Sequence, residues 1–173
     1  MSRAQIHQRG KPPQTHLKVS VLNNCRGLRV DRKLLIKTAR FVARRHNITT
    51  GQIELTIFAD ADMAEIHKQY LGRRAVTDVI CFDLAEDGQN QPAGASHIQA
   101  SLALGGEVAR RQARIHRTSI SKELALYAVH GLLHVLGYDD AEEKNSRRMH
   151  RREDELLAEL GLGAVFHGHE SSD

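Results

Sequence analysis

Residues 119–140 read SISKELALYAVHGLLHVLGYDD and contain the most apolar helical pattern in the chain. The pattern predicts a largely buried helix that begins at Ser119 or Ser121 and ends at Gly137. His130 and His134 lie one turn apart on one face of this helix. An unpartnered imidazole buried there costs about 1–3 kcal/mol, and a shared metal ion removes that cost for both. The pair therefore predicts a metal site, with a hydrogen bond from each histidine to a backbone carbonyl as the alternative.

A third ligand is expected just after the helix, where Gly137 can turn the chain back. Asp139 and Asp140 can both reach back, and spacing favours Asp140, six residues after His134, as in the zinc-protease pattern HExxHxxGxxH. Two histidines and one carboxylate leave a fourth zinc position for water, which is typical of catalytic sites. The protease pattern has a glutamate after its first histidine, where this chain has Gly131. The segment therefore predicts one catalytic Zn2+ ion and argues against a protease.

The segments around this helix follow strand and helix patterns in turn. Alternating side chains predict strands at 17–22, 52–59 and 77–82, and a fourth at 98–108 that Gly105 and Gly106 interrupt. Helical spacing predicts helices at 31–45, at 60–70, in the basic segment after 108 and at 141–160, with Asp31 and either Asp60 or Asp62 as N-caps. Four strands mixed with about five helices, without a repeat, predict an α+β fold with helices packed on a small four-stranded mixed sheet.

Length and composition predict one domain. A chain of 173 residues with 40% hydrophobic content can bury one good core, so residues 17–163 are predicted to form a single metal-dependent hydrolase-like domain. The polar, aperiodic ends predict a flexible extension at 1–16 and a disordered tail at 164–173, and 86–96 is predicted to be a loop. Cys25 and Cys81 are too few for a disulfide framework and are predicted to be reduced.

Charge, aromatic content and hydropathy narrow the possible partners. A net charge of +4 and a pI of about 9.3 favour an anionic partner, whereas 4% aromatic residues disfavour RNA binding by stacking on a sheet. No run of about 18 apolar residues predicts a membrane span, and the N-terminus lacks a secretory signal, so a cytoplasmic location is predicted. Two clusters are candidate phosphate contacts: Arg110, Arg111, Arg114 and Arg117, which is the better candidate, and Arg147, Arg148, Arg151 and Arg152, which interleaved glutamates dilute.

Three segments resemble the motifs of one known family. His130–Asp140 resembles HGxLHLxGYDH, the motif of the YbeY family of bacterial endoribonucleases and rRNA maturation factors, at every fixed position except Val135 and Asp140. Tyr70–Phe82 is similar to the family's YRGxxxPTDVLSF, and Leu104–Val108 is similar to its LGDI strand. The resemblance covers most of residues 17–160.

The resemblance implies a single α+β domain and one zinc ion held by three side chains in a cleft. It further implies cleavage of single-stranded RNA in ribosomal RNA maturation and small-subunit quality control. The expected partners are therefore RNA and the small ribosomal subunit with its proteins, with no membrane and no small-molecule cofactor. The chain departs from the family motifs at several positions. Asp140 replaces a histidine and Val76 a proline, while Leu71 replaces an arginine, for which Arg73 or Arg74 is expected to substitute as a phosphate contact.

The expected mechanism combines a zinc-bound water, whose pKa is lowered toward about 7, with arginines that hold the phosphodiester. Those arginines are expected among positions 73, 74, 110 and 111. One alternative is a ribosome-assembly factor that binds without cleaving, which Leu71 in place of the family's arginine favours. A zinc protease with an aspartate as third ligand is a weaker alternative, because Gly131 removes the general base.

Overall fold

The computed structural model describes residues 16–84 and 96–163. The predicted extension (1–16), the predicted loop (86–96) and the predicted tail (164–173) lie outside the described residues, except for His16 and Ser96, which lie in strands. No helix in the described ranges is long and apolar enough to cross a membrane. These ranges contain four strands and five helices: β1 (His16–Asn23), α1 (Arg32–Arg45), β2 (Ile48–Phe58), α2 (Asp60–Leu71), β3 (Val79–Asp83), β4 (Ser96–Gly105), α3 (Gly106–Ile115), α4 (Ile120–Val135) and α5 (Glu143–Glu159).

The strands form one mixed sheet in the order β1-β2-β4-β3. The β1 and β4 strands pair in parallel with β2, whereas β3 pairs antiparallel with β4 at the edge. Parallel neighbours need a crossover connection, and α1 supplies it between β1 and β2. The predicted α+β fold with a four-stranded mixed sheet and five helices is therefore confirmed.

The α4 helix lies at the centre of the domain, packed against β3 and β4 on one side and against α1, α3 and α5 on the others. Alternate residues of β2, namely Ile53, Leu55 and Ile57, face this core and are fully buried. A smaller cluster forms on the opposite face of the sheet, where Met63 of α2 packs against Ile80. The helix that carries the histidine pair is therefore buried along most of its length, as its apolar pattern predicts.

The junction between β4 and α3 differs from the prediction. A strand running to Val108 is wrong, because β4 ends at Gly105 and α3 begins at Gly106. A Cβ on Gly105 would lie 2.6 Å from the Thr77 carbonyl oxygen, and one on Gly106 would lie 2.7 Å from Ile57 Cγ2. The two glycines therefore allow a close strand-to-helix turn rather than interrupting a strand.

The predicted N-cap at Asp31 is confirmed, and the predicted N-cap at Asp60 or Asp62 is wrong. Asp31 accepts a hydrogen bond from the Leu34 backbone N–H at 2.9 Å, and Ser119 caps α4. Neither Asp60 nor Asp62 caps α2, because the helix already begins at Asp60. The carboxylate of Glu107, in α3, instead accepts a hydrogen bond from the Asp60 backbone N–H at 3.0 Å. The side chain of Asp60 pairs with Arg111 at 2.5 Å.

Candidate metal centre

The two histidines of α4 face each other near the end of the helix. His130 and His134 are four residues apart, so their side chains lie one above the other on the same face. Their Nε2 atoms are 3.0 Å apart. The side chain of His130 is 14% exposed and that of His134 is 30% exposed, so the pair is open to solvent mainly on the His134 side.

The turn after α4 brings a carboxylate back to the histidines. Gly137 has a φ of 86°, in the left-handed region. Its backbone N–H donates to the His134 carbonyl at 2.9 Å, and the Tyr138 N–H donates to the Leu133 carbonyl at 3.0 Å. This pair of hydrogen bonds is the Schellman arrangement, which glycine favours at the end of a helix. The chain that leaves the turn places Asp140 beside the histidine pair.

The carboxylate of Asp140 completes a cluster of three possible metal ligands. Its Oδ2 atom lies 3.6 Å from His134 Nε2 and 3.9 Å from His130 Nε2. One donor atom from each of the three residues lies within 4.8 Å of the other two. The neighbouring Asp139 has a different contact, because its Oδ1 accepts a hydrogen bond from the Ala141 backbone N–H at 3.0 Å. The structure therefore brings together the three residues that the sequence predicts as ligands.

The far sides of both imidazole rings are held by hydrogen-bond acceptors. His130 Nδ1 lies 2.6 Å from Glu153 Oε1, and His134 Nδ1 lies 3.2 Å from the Tyr138 carbonyl oxygen. A carbonyl oxygen or a carboxylate can only accept, so each Nδ1 carries the proton and donates it. In the neutral rings, each Nε2 is therefore unprotonated, and its lone pair can bind a metal ion.

Glu153 lies between two histidines in the interior. Its side chain is 1% exposed, and its Oε2 accepts a hydrogen bond from His150 Nδ1 at 3.0 Å. Burial alone raises the pKa of Glu153, but the hydrogen bonds and charges of His130 and His150 hold it below its ordinary value. For His130 the directions are reversed. Burial lowers its pKa, but the hydrogen bond and charge of Glu153 raise the pKa of His130 above its ordinary value. A proton and a metal ion would therefore compete for His130 in acid.

The donor set and its spacing fit a zinc ion. Nitrogen and oxygen ligands lie about 2.0–2.1 Å from tetrahedral zinc, so any two of them are about 3.3–3.4 Å apart. The observed separations of 3.0, 3.6 and 3.9 Å lie on both sides of that value. Two lone pairs that face each other at 3.0 Å repel unless a cation or a proton lies between them. The three residues therefore fit three of the four coordination positions of a tetrahedral zinc ion, which leaves the fourth for water.

Gly131 is required by the packing of α4 on the sheet. A Cβ at this position would lie 2.6 Å from Leu102 Cδ2 and 2.8 Å from Cys81 Sγ. The zinc-protease pattern needs a glutamate here to act as general base. The position faces the sheet and leaves no room for a side chain, so the geometry disfavours peptide hydrolysis.

The predicted phosphate contacts lie outside this cluster. Arg73 and Arg74 follow α2 and are exposed, and Arg74 pairs with Glu65 at 3.1 Å. In α3, Arg110 pairs with Glu107 at 2.8 Å, and Arg111 holds Asp60 with both of its terminal nitrogens. The role of these arginines in phosphate binding stays a prediction.

Sequence reasoning missed Glu153 and His150. The signal was present, because Glu153 lies four residues after Met149 on the apolar stripe of α5, where an unpaired charge is costly. Such a residue needs a buried partner of opposite charge or a donor. Spacing along α5 alone does not identify His130, 23 residues earlier in the chain, as that partner.

The chain is similar to known endoribonucleases over most of its length. A family described as endoribonuclease YbeY matches residues 23–161. The endoribonuclease YbeY of Bacillus subtilis (strain 168) is 33% identical over 128 residues, which are 71% of this chain and 82% of that protein. The endoribonuclease YbeY of Moorella thermoacetica is 36% identical over 116 residues, which are 65% of this chain and 74% of that protein.

A solved structure supports the fold independently of the sequence. The solution structure of TM1509 from Thermotoga maritima matches with a TM-score of 0.55 and covers 89% of this chain and 99% of that one. The sequence identity is 20%, so this likeness concerns the fold alone.

Proposed function

The chain belongs to the YbeY family of endoribonucleases. On that premise we propose that it is a zinc-dependent hydrolase that cleaves single-stranded RNA, with His130, His134 and Asp140 as the zinc ligands. One observation carries the proposal, namely that the donor atoms of these three residues converge within 4.8 Å. Each histidine would bind through Nε2, and Asp140 would bind through a carboxylate oxygen. A zinc ion bound there supplies Lewis acidity and lowers the pKa of a coordinated water toward about 7.

The protein's own part is to hold the ligands in one protonation state and one orientation. Glu153 keeps the proton of His130 on Nδ1, and the Tyr138 carbonyl does the same for His134. The buried helix fixes both rings, and the Gly137 turn fixes the carboxylate. The side chain of Asp140 is 40% exposed, which leaves the solvent side of the cluster accessible to a phosphodiester.

Phosphate binding is proposed for Arg73 and Arg74. The pair between Arg74 and Glu65 is exposed on both sides and contributes only about 0–1 kcal/mol, so a phosphate can replace the glutamate at small cost. Arg111 is a weaker candidate, because its two-nitrogen contact with Asp60 helps to join α3 to α2.

Ribosomal RNA in the cytoplasm is the proposed substrate, with the small ribosomal subunit as the setting of the reaction. A second candidate function is a ribosome-assembly factor that binds RNA without cutting it. Leu71 favours this alternative, because it stands where the family motif has an arginine and is 59% exposed. Co-sedimentation with small subunits, without cleavage of any single-stranded RNA, would support the alternative.

Metal content and RNA cleavage, measured on the same samples, test the proposal. We expect about one zinc ion per chain, and we expect Asp140→Ala and His134→Ala to lose both the ion and the cleavage activity. Asp139→Ala is the matched control, because it removes the neighbouring carboxylate, which contacts only the Ala141 N–H among the contacts described above. Cleavage that persists in His130→Ala and His134→Ala would overturn the metal mechanism. Loss of the ion in Asp139→Ala but not in Asp140→Ala would reassign the third ligand.

A further inference from the structure

The α5 helix has a buried face and a basic face. Met149 and Glu153 lie on the buried side. On the outer side, four basic residues occur at positions i, i+3, i+4 and i+7, so they form one stripe along the helix. All four are exposed: Lys144, Arg147, Arg148 and Arg151.

The residues of this stripe differ in their ion pairs within the part of the chain that the structure describes. Arg147 pairs with Glu143. Within residues 16–84 and 96–163, no ion pair involves Lys144, Arg148 or Arg151. In the cluster that the sequence favours, Arg110 and Arg111 are both paired. Arg114 and Arg117 of that cluster are exposed and form no ion pair within the described residues, but neither lines the depressions described next.

The basic stripe leads to the metal centre. A depression of about 430 Å3 is lined by all four basic residues of the stripe and by Glu143. A second depression, of about 240 Å3, is lined by Arg148, Asn145 and the turn that contains Tyr138 and Asp139. Arg148 lines both. The same turn carries Asp140 and accepts the hydrogen bond of His134, so the second depression adjoins the proposed ligands.

From these contacts we infer that Lys144, Arg148 and Arg151, hereafter the α5 track, bind consecutive phosphates of the RNA strand on one side of the cleavage point. The inference rests on the proposed function and names the surface that holds its substrate. Lys144 and Arg151 are seven residues apart, about 10.5 Å along the helix axis, with Arg148 between them. The three side chains are therefore spaced to contact successive phosphates of one strand.

The depression beside the turn suits a base next to these phosphates. The guanidinium carbon of Arg148 lies 5.6 Å from the centroid of the Tyr138 ring, so the cation lies over the ring. Unstacked RNA bases pack on arginine planes and aromatic rings and form hydrogen bonds with amides such as that of Asn145. A single strand, whose bases are free to turn outward, fits this surface better than a duplex does.

The salt dependence of RNA binding tests the α5 track. The probe is a labelled 12-nucleotide 2′-O-methyl RNA, titrated with metal-loaded full-length protein and checked for integrity on a denaturing gel. The variant Lys144→Gln/Arg148→Gln/Arg151→Gln removes three charges. The matched control, Lys33→Gln/Lys37→Gln/Arg40→Gln, removes three exposed charges at the same i, i+4, i+7 spacing on α1.

We expect the slope of log K against log salt to fall by about 2 in the track variant, since each phosphate contact on a single strand contributes about 0.7. Between 50 and 200 mM salt, the wild type should then lose about 20-fold more affinity than the variant. The control should keep the wild-type slope. Zinc content and urea unfolding establish that both variants are folded, and Arg148→Gln/Arg151→Gln, with an expected slope change of about 1.4, is the fallback.

Three results would overturn the inference. The first is an unchanged slope in the track variant, and the second is an equal change in the control. The third is displacement of the labelled RNA by a poly-glutamate peptide as effectively as by unlabelled RNA of equal charge. That result would make the surface a site for acidic peptides. In each case the proposed function stands if the wild type still cleaves RNA. A wild type that neither binds nor cleaves RNA would overturn both.

Discussion

Glu153→Gln is expected to weaken zinc binding without opening a cavity. The carboxylate is 1% exposed and accepts hydrogen bonds from His130 Nδ1 at 2.6 Å and from His150 Nδ1 at 3.0 Å. Glutamine has the same shape but offers one accepting oxygen and one donating NH2 group. It can therefore accept from only one of the two histidines, and it carries no charge.

The size of the loss depends on which way the amide turns. When the amide oxygen points toward His130, the imidazole ring keeps its proton on Nδ1, and only the negative charge of the acceptor is lost. With its NH2 group toward His130, Nδ1 must accept, so the proton moves to Nε2 and removes the lone pair that binds the metal. Loss of such outer hydrogen bonds typically costs 10- to 100-fold in metal affinity, or about 1.4–2.8 kcal/mol. We expect about 10-fold for Glu153→Gln, because the first orientation is available, and close to 100-fold for Glu153→Leu.

Competition with a chromophoric chelator at pH 7.5 measures the zinc affinity directly and needs no RNA. The matched control is Glu155→Gln, which makes the same charge change two residues away in the same helix, in an exposed pair with Arg152. A distant charge effect would move both variants alike, whereas a role in orienting His130 moves only Glu153→Gln. An affinity for Glu153→Gln within twofold of the wild type, or an equal loss in the control, would refute this account of Glu153.

Three further substitutions have defined outcomes. Gly131→Ala forces a Cβ to within 2.6 Å of Leu102 Cδ2 and should lower the free energy of unfolding by about 1–3 kcal/mol in urea titrations; an unchanged midpoint would contradict the close packing. Burial raises the pKa of Glu123 to about 7 from 4.5, so the folded state holds this proton more tightly and loses stability as pH rises from about 4.5 to about 7. Glu123→Gln should therefore gain up to about 3 kcal/mol at pH 8 and little at pH 4, and a gain independent of pH would be inconsistent with this cause. Asp140→His exchanges an oxygen ligand for an imidazole and should raise the preference for Zn2+ over Mg2+ in competition assays, whereas an unchanged preference would argue against Asp140 as a ligand.

The sequence predicts the elements of this fold well where one side chain pattern dominates. The alternation in Ile53, Leu55 and Ile57 marks β2, and the apolar run before His130 marks the buried helix. It does not predict that β4 lies between β2 and β3, because strand order depends on contacts between distant segments. The error at Gly105 has a similar origin, since the need for glycine arises from the Thr77 carbonyl, 28 positions earlier in the sequence.

The residues of the candidate site also divide into those set by local sequence and those set by contacts between distant segments. His130, His134 and Asp140 could be predicted because they are close in sequence and one helix and one turn bring them together. Glu153 could not, because its role depends on how α5 packs against α4. Which arginines form ion pairs could not be predicted either, since Arg111 and Arg148 have the same chemistry and only tertiary contacts determine that Asp60 neutralises Arg111.

The charge of the proposed ligand set explains why the α5 track matters to this chain. Zinc with two neutral histidines and one carboxylate has a net charge of +1, whereas three histidines, as in the family motif, would leave +2. Leu71 removes a second positive charge relative to that motif. A phosphodiester at this centre is therefore attracted less strongly by the ligand cluster itself, and Coulomb attraction over a few ångströms is the main sequence-independent contribution to RNA binding. The α5 track restores positive charge beside the turn that carries Asp140. Because Glu153 lies on the buried face of the same helix, the packing of α5 sets both the orientation of His130 and the position of the phosphate contacts.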